Sequence, residues 1–413
     1  ISVFPTRGIH MDFKQNLCAA LSNACGMTAE QIGDMLETPP NPAMGDFALP
    51  CFKLAKTFRK APPAIAAELA RNLGEIEGFS RIETAGGYLN FFTDKSAFAR
   101  TVIQRVLSEG DGYGASTEGS GKNICLDYSS INIAKPFGIH HITTTVLGNS
   151  LRRIFDHLGY KTVSINHLGD WGTQFGKMIV AYDKWGDREK IENGNSVREL
   201  VALYVKFHEE AEKDPSLEDE ARAAFRRIEL HEPHEWELFQ WFKTLTLKDV
   251  ARVYDLLGVT FDSYNGEAFY EDKMPAVVQE LKDKGLTKID NGMTIVDLSE
   301  YDMPPCIILK SDGSTIYATR DIAAQQSLHF RQIFKVLELM GYDWAKDCVH
   351  VSFGMVSMED MTFSTRKGNA VYLEDVLNAS IEKTLEIIKQ KSPNLENKQE
   401  VARQVGVGAL VFG

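Results

Sequence analysis

Between Lys122 and Lys177 the pattern of apolar and polar positions changes several times. Asn123 to Tyr128 is a short apolar run with a polar end, the pattern of a buried strand. Ser129 to Gly138 is rich in Ser, Asn, Pro and Gly, the composition of a loop. From His141 to Leu158 apolar residues return at helical spacing (Ile142, Val146, Leu147, Leu151, Ile154, Phe155, Leu158), and Gly159 supplies a stop. Lys161 to Asn166 predicts a second strand and His167 to Gly172 a second loop. Together these predict a β–loop–α–β unit with a polar loop at the strand's carboxyl end. In an open parallel sheet, ligands bind in that crevice. The first turn of the following helix offers free N–H groups and partial positive charge, suited to a phosphate.

The rest of the chain divides by the same reading. Residues 1–10 precede Met11 without clear periodicity and are set aside as a remnant foreign to the fold. Phe13, Leu17, Leu21 and Ile32 stand at helical spacing. Leu49, Phe52, Leu54, Ala55 and Phe58 follow, interleaved with Lys53, Lys56, Arg59 and Lys60. Pro62 and Pro63 suit the first turn of a helix over Ala64 to Leu73. Residues 81–92 alternate like a hairpin about Gly86-Gly87, and 96–109 are helical again. These elements predict a small α+β domain, closed by a Gly-rich linker over 110–121.

Beyond the β–loop–α–β unit, charged helical stretches run from Ser196 to Lys213 and from Ser216 to Leu230. The stretch ending at Gly258 predicts one amphipathic helix or a pair, with Trp236, Phe239, Trp241 and Phe242 in its core rather than on a base-stacking surface. Residues 306–309 and the segment around Tyr317 are β-like, with a hairpin signal at Asp312-Gly313.

Composition narrows the class. Apolar content of 44% and charged content of 25% are ordinary for a globular protein, and 413 residues suffice for two or three domains. No apolar run approaches the ~20 residues that span a bilayer. The six cysteines have no metal-ligand spacing and read as reduced and mostly buried, which with the lack of a secretory signal predicts a cytoplasmic protein. A net charge of −12 argues against indiscriminate nucleic-acid coating but leaves local basic patches open.

From Met11 onward the chain resembles the arginyl-tRNA synthetases, a family of class I aminoacyl-tRNA synthetases. The blocks DYSSINIAKPF, LGNSL, NHLGDWGTQFGK, KSDGSTIYATRDIAA (310–324) and FSTRKGNAVYLEDVL (363–377) carry the resemblance. It implies an α/β fold: a Rossmann-like parallel sheet with a helical insertion, preceded by a small α+β domain. The implied domains are an N-terminal additional, tRNA-contacting domain over 11–118 and a catalytic domain over 119–180 and 295–390. A connective insertion covers 181–294, and 391–413 begins a C-terminal helical region, read as truncated. The implied reaction joins arginine and ATP, with Mg2+, into arginyl-adenylate and passes the arginyl group to tRNA(Arg), with bound tRNA needed even for activation. No tightly bound cofactor, no protein-held metal, no membrane and a monomer are the remaining expectations.

The resemblance also assigns residues. Asp127, Ser129, Asn132, Glu267, Tyr317, Asp321 and Gln326 correspond to the arginine site. A carboxylate such as Asp321 can meet a guanidinium bidentately. Gly138, His140, His141, Gly169, Asp170, Gln174 and Ser364 fall in the ATP-binding blocks. Lys135, His141, Arg366 and Lys367 are the candidate catalytic donors and cations for the negative charge that develops on phosphate. Lys53, Lys56, Arg59 and Lys60 are the candidate tRNA surface. Taken singly, any of these could be a helix cap, a turn residue or a solvated face; Asp170 could instead fix its loop.

Both signatures depart from the family's pattern. Its His-x-Gly-His reads Gly138-Ile139-His140-His141 here, so an imidazole replaces the glycine on which adenine lies flat, and Thr143 stands where the family has arginine. The second signature, Lys-Met-Ser-Thr-Arg, reads Thr362-Phe363-Ser364-Thr365-Arg366, and Lys135 occupies the place of a compensating lysine. Ala324 also runs straight into Gln325 where the family has a further stretch including a sheet strand. Two alternatives therefore stay open: a catalytically impaired paralogue that binds arginine or RNA, and an ATP-dependent arginine ligase with a non-tRNA acceptor.

Overall fold

The computed structural model describes residues 10–311, 313, 327–354 and 371–412. The chain divides into two compact units at Ser116/Thr117.

In the first unit, α1 (His10–Cys25) and α2 (Ala29–Met35) are separated by Gly26, in the left-handed region at φ 65°. Thr28 and Gln31 form a reciprocal capping box that starts α2. Strand β1 (Phe47–Pro50) leads through α3 (Ala55–Phe58) to α4 (Pro62–Asn72), with proline in its first turn. Strands β2 (Phe79–Ala85) and β3 (Tyr88–Thr93) form the expected hairpin. Gly86 and Gly87 both have positive φ, as a tight hairpin turn requires. The antiparallel order is β1-β3-β2, and α5 (Lys95–Glu109) follows. Leu17, Leu21, Ile32, Leu49, Leu54 and Phe91 are buried in one core, where each side chain contributes about 1.5–3 kcal/mol.

In the second unit, β4 (Asn123–Asp127) pairs in parallel with β5 (Lys161–Ile165), joined by α6 (His141–His157). Ile165 continues the pairing to Ser263. The helical body that follows comprises α7 (Thr173–Trp185), α8 (Arg188–Asn193), α9 (Ser196–Lys213), α10 (Ser216–Glu229) and α11 (Pro233–Leu257). The stretch before Gly258 is thus one helix of 25 residues, not a pair. Phe175, Phe207, Phe239 and Phe242 are buried at its centre, with Trp236 and Trp241 packed against them.

Helix α12 (Met274–Asp283) precedes β6 (Thr287–Asp290), β7 (Met293–Val296) and β8 (Cys306–Leu309), an antiparallel sheet of order β6-β7-β8. The β-like run at 306–309 is therefore a strand, but its partner is β7. A hairpin at Asn291-Gly292, both at positive φ, joins β6 to β7, a turn signal absent from the reading above. This sheet runs across the boundary drawn at 294/295. It packs with α13 (Ser327–Leu339), Val296, Ile308 and Val336 sharing a core. The hairpin signal at Asp312-Gly313 falls largely outside the described residues. Helices α14 (Leu373–Lys391) and α15 (Lys398–Phe412) complete the unit.

Cys18, Cys25, Cys51 and Cys306 are buried, as expected, and burial pushes the thiols of Cys25, Cys51 and Cys306 up to about 11. Cys125 departs from the expectation: it lies on the alternate, exposed positions of β4. No described helix is long and apolar enough to cross a membrane.

Candidate active site

The loops at the carboxyl ends of β4 and β5 meet. The Ile133 N–H donates to the Gly169 carbonyl (3.1 Å) and the Gly169 N–H to the Ile131 carbonyl (2.8 Å). Gly169 is required there by close approach: a Cβ would fall 2.4 Å from Asn132 Oδ1. Asn132 is thus laid against the second loop.

The first loop is strained. Ser129, Ser130 and Ala134 all sit in the left-handed region, at φ 74°, 48° and 56°. Such conformations cost about 1–3 kcal/mol each and persist only where the surroundings over-determine them. Ser129 is 2% exposed. Its Oγ lies 2.8 Å from Tyr254 Oη and 2.8 Å from Thr145 Oγ1, and Thr145 Oγ1 lies 2.7 Å from the His141 carbonyl. Asn166 Nδ2 donates to Tyr254 Oη at 2.7 Å. An amide nitrogen only donates, a carbonyl only accepts, and each hydroxyl has one proton. The chain therefore runs one way: Asn166 to Tyr254, Tyr254 to Ser129, Ser129 to Thr145, Thr145 to the His141 carbonyl. At Ala134 the N–H donates to Thr246 Oγ1 (3.1 Å), which donates to the Phe242 carbonyl (2.8 Å).

The first signature opens α6. His141 Nδ1 lies 3.1 Å from the Gly138 nitrogen and 3.2 Å from the Gly138 carbonyl oxygen, which also accepts from the His141 backbone N–H at 3.0 Å. The neutral ring that accepts the Gly138 N–H at Nδ1 carries its proton on Nε2, a hydrogen-bond donor; the tautomer that donates Nδ1–H to the Gly138 carbonyl leaves Nε2 an acceptor. Burial, then the charges of neighbouring His140 and Lys135, push His141 down to about 3, so the ring is neutral at pH 7. Burial also lowers His140. The two rings are 4.0 Å apart. The His140 ring folds back over Gly138, where a Cβ would fall 2.7 Å from its Cε1. The Ile139 N–H donates to the Val371 carbonyl, so the first described residue after the second signature is tied to the first signature.

The second loop is fixed by charge. Asp170 is fully buried; its Oδ2 accepts from Lys243 Nζ at 2.6 Å and its Oδ1 from the Ala268 N–H at 2.9 Å. That holds the segment carrying Glu267, itself 5% exposed, whose N–H donates to the Leu168 carbonyl.

Of the residues expected from sequence, Asp127, Asn132, Lys135, Gly138, His140, His141, Gly169 and Glu267 stand on these loops or beside them, and Gln174 on the first turn of α7. Ser129 and Asp170 also belong to the loops, but their polar atoms bond inside the protein. Tyr317, Asp321, Gln326, Ser364, Arg366 and Lys367 lie outside the described residues. Lys53, Lys56, Arg59 and Lys60 are exposed on the first unit, with Lys53 paired to Glu37 and Lys60 to Glu68. Among the described residues no group of His, Cys, Asp and Glu could hold a metal ion. Sequence reasoning missed Lys243, Thr246 and Tyr254, although their spacing on one face of α11 was legible as polar groups in an apolar stripe.

The family model described as "tRNA synthetases class I (R), catalytic domain" matches residues 102–413, and that of the "Arginyl tRNA synthetase N terminal domain" matches 11–93. The chain is 52% identical to the arginine–tRNA ligase of Alkaliphilus metalliredigens, covering 97% of this chain and 74% of the relative. The arginine–tRNA ligase of Halothermothrix orenii matches with the same identity and coverage. Among solved structures, the arginyl-tRNA synthetase of Thermus thermophilus matches with a TM-score of 0.67 at 20% identity, over 97% of this chain and 74% of that one. That of Plasmodium falciparum matches with a TM-score of 0.59 at 18% identity, over 97% and 73%. The two structures share the fold.

Proposed function

The chain belongs to the arginyl-tRNA synthetases, and we propose that it activates arginine with ATP and Mg2+ and transfers the arginyl group to tRNA(Arg). The observation that carries this reading is the meeting of the two loops at the ends of β4 and β5, with Asn132, Glu267 and His141 fixed on or beside them. In the tautomer that accepts the Gly138 N–H, the neutral His141 ring offers an Nε2–H donor at the start of α6, where the helix N-terminus already favours an anion. There it stabilises charge on the α-phosphate as pyrophosphate leaves. Lys135, Arg366 and Lys367 supply cations for the same charge, and Ser364 joins them on the ATP side with Gly138, His140 and Gly169. Asp127, Asn132, Glu267, Tyr317, Asp321 and Gln326 are our arginine-binding set, with Asp321 meeting the guanidinium. Asp170 and Ser129 act by holding the loops. On the first unit Lys56 and Arg59, which have no ion-pair partner among the described residues, are the stronger candidates for tRNA contact.

The test is arginine-dependent exchange of labelled pyrophosphate into ATP, with and without tRNA. Exchange that needs both arginine and tRNA is the expected result. The substitution of glycine by His140, with Gly138 and Thr362, favours a second reading, an impaired paralogue. No exchange, with arginine still bound in a parallel titration, would establish that reading instead. Exchange without tRNA would favour a ligase with another acceptor.

A further inference from the structure

Helix α11 belongs to the helical body, yet its side chains reach both substrate loops. Thr246 and Tyr254 are eight positions apart, a little over two turns, and so share a face with Val250. Both are buried, at 0% and 3% exposure. Each grips the first loop at one of its left-handed residues: Tyr254 at Ser129 and Thr246 at Ala134. The Tyr254 ring also packs edge-on against Phe137 at 5.3 Å, one residue before the signature. One turn back on the same face, Lys243 holds Asp170 of the second loop. A threonine in a helix interior and a buried tyrosine hydroxyl both need a reason, and the loop supplies it.

We infer that α11 is a splint for the substrate site, and that Thr246 and Tyr254 are positioning residues for arginylation, holding residues 129–137 on a path that turns left-handed at Ser129, Ser130 and Ala134. The inference rests on the proposed function for its catalytic consequence, but not for the clamp itself. Both hydroxyls bond within the protein. Tyr254 acts through the directed chain that ends on the His141 carbonyl, and Thr246 through the backbone two residues beyond Asn132 and next to Lys135. Small displacements of a reacting centre are enough to cost about a hundredfold in rate.

The test uses Tyr254→Phe and Thr246→Val, which remove the hydroxyls with little change in volume, and Thr244→Val as a control. Thr244 is on the same helix but exposed, and its hydroxyl donates to the Gln240 carbonyl of its own helix. Amide hydrogen exchange is followed over 129–137 in the full chain, alongside steady-state arginylation. We expect faster exchange over 129–137 in Tyr254→Phe and Thr246→Val, no change over α7, and a loss of about tenfold or more in kcat with the melting temperature little moved. The double variant should lose less than the product of the single losses, because both residues hold one loop. Thr244→Val should match the parent. Unchanged exchange over 129–137 in both single variants would overturn the clamp. Faster exchange with unchanged kcat and KM would overturn the positioning role. A parent chain that does not arginylate would count against the proposed function, and the exchange result would still decide the clamp.

Discussion

The loops that follow β4 and β5 do the same work by opposite means. The first carries three left-handed non-glycine residues and is held by neutral hydroxyls from α11 and α6. The second uses Gly169 for its close approach and is held by the ion pair of the partly exposed Lys243 with the fully buried Asp170. Each neutral hydrogen bond contributes about 0.5–1.5 kcal/mol net and leaves no charge behind when broken. Breaking a buried ion pair strands a charge, at about 3–5 kcal/mol. The difference separates adjustment from integrity: the hydroxyl chain sets the position of a loop, whereas the ion pair decides whether its loop is there at all.

The largest effect should come from Lys243→Ala, which leaves the Asp170 carboxylate buried and unpaired. Urea denaturation should show a loss of about 3–5 kcal/mol. Adding Asp170→Asn should restore much of it, since the amide can still accept from the Ala268 N–H. Failure of the second change to restore stability would mean that the lysine acts by packing rather than charge.

Gly169→Ala comes next. Its Cβ would land on Asn132 Oδ1 and push the loops apart, at about 1–3 kcal/mol for a misfit of this kind. The KM for arginine should rise by about tenfold, the equivalent of 1.4 kcal/mol, with the KM for ATP less affected. An unaltered arginine KM would place the amide of Asn132 outside the arginine site.

The third effect depends on pH. His141 is held near 3 in the fold, against about 6.5 in the unfolded chain. Above 6.5 the ring is neutral in both states and contributes no slope. As pH falls below 6.5 the unfolded chain takes up the proton first, so stability drops, and the loss levels off near the folded value. The slope is at most about 1.4 kcal/mol per pH unit. His141→Gln should flatten it between pH 6.5 and 4 in denaturation experiments. An equal slope in the variant would mean that the imidazole protonates freely in the fold.

The smallest effect should follow from exchanging the two positions of the first signature, Gly138→His with His140→Gly. The ring of His140 folds over Gly138, so the single change Gly138→His crowds it while the pair relieves it. The double variant should bind ATP severalfold more tightly than the parent. Unchanged affinity would show that His140 does not crowd the adenine.

Periodicity alone located the helices well. The stretch Ser196 to Lys213 is α9, and the stretch from Ser216 is α10, because both keep one apolar face. The hairpin at Gly86-Gly87 was legible for the same local reason. The antiparallel pairing of β7 with β8 was not, since a four-residue apolar run does not disclose its partner. In the site, motif residues marked the place but not the division of labour. Nothing in DYSSIN says that the first serine faces inward to Tyr254, or in LGDWG that the aspartate pairs with a lysine more than seventy residues later. Those facts belong to tertiary packing, where a helix distant in sequence supplies the partners.

The most direct test of the whole account is charging. Purified protein is incubated with ATP, magnesium and labelled arginine, with and without total tRNA, and acid-precipitable arginine is counted. The account predicts product only when tRNA is present, which would make Gly138, His140 and Thr362 tolerated departures from the family's pattern. No product with tRNA present, from protein that still binds arginine, would contradict it.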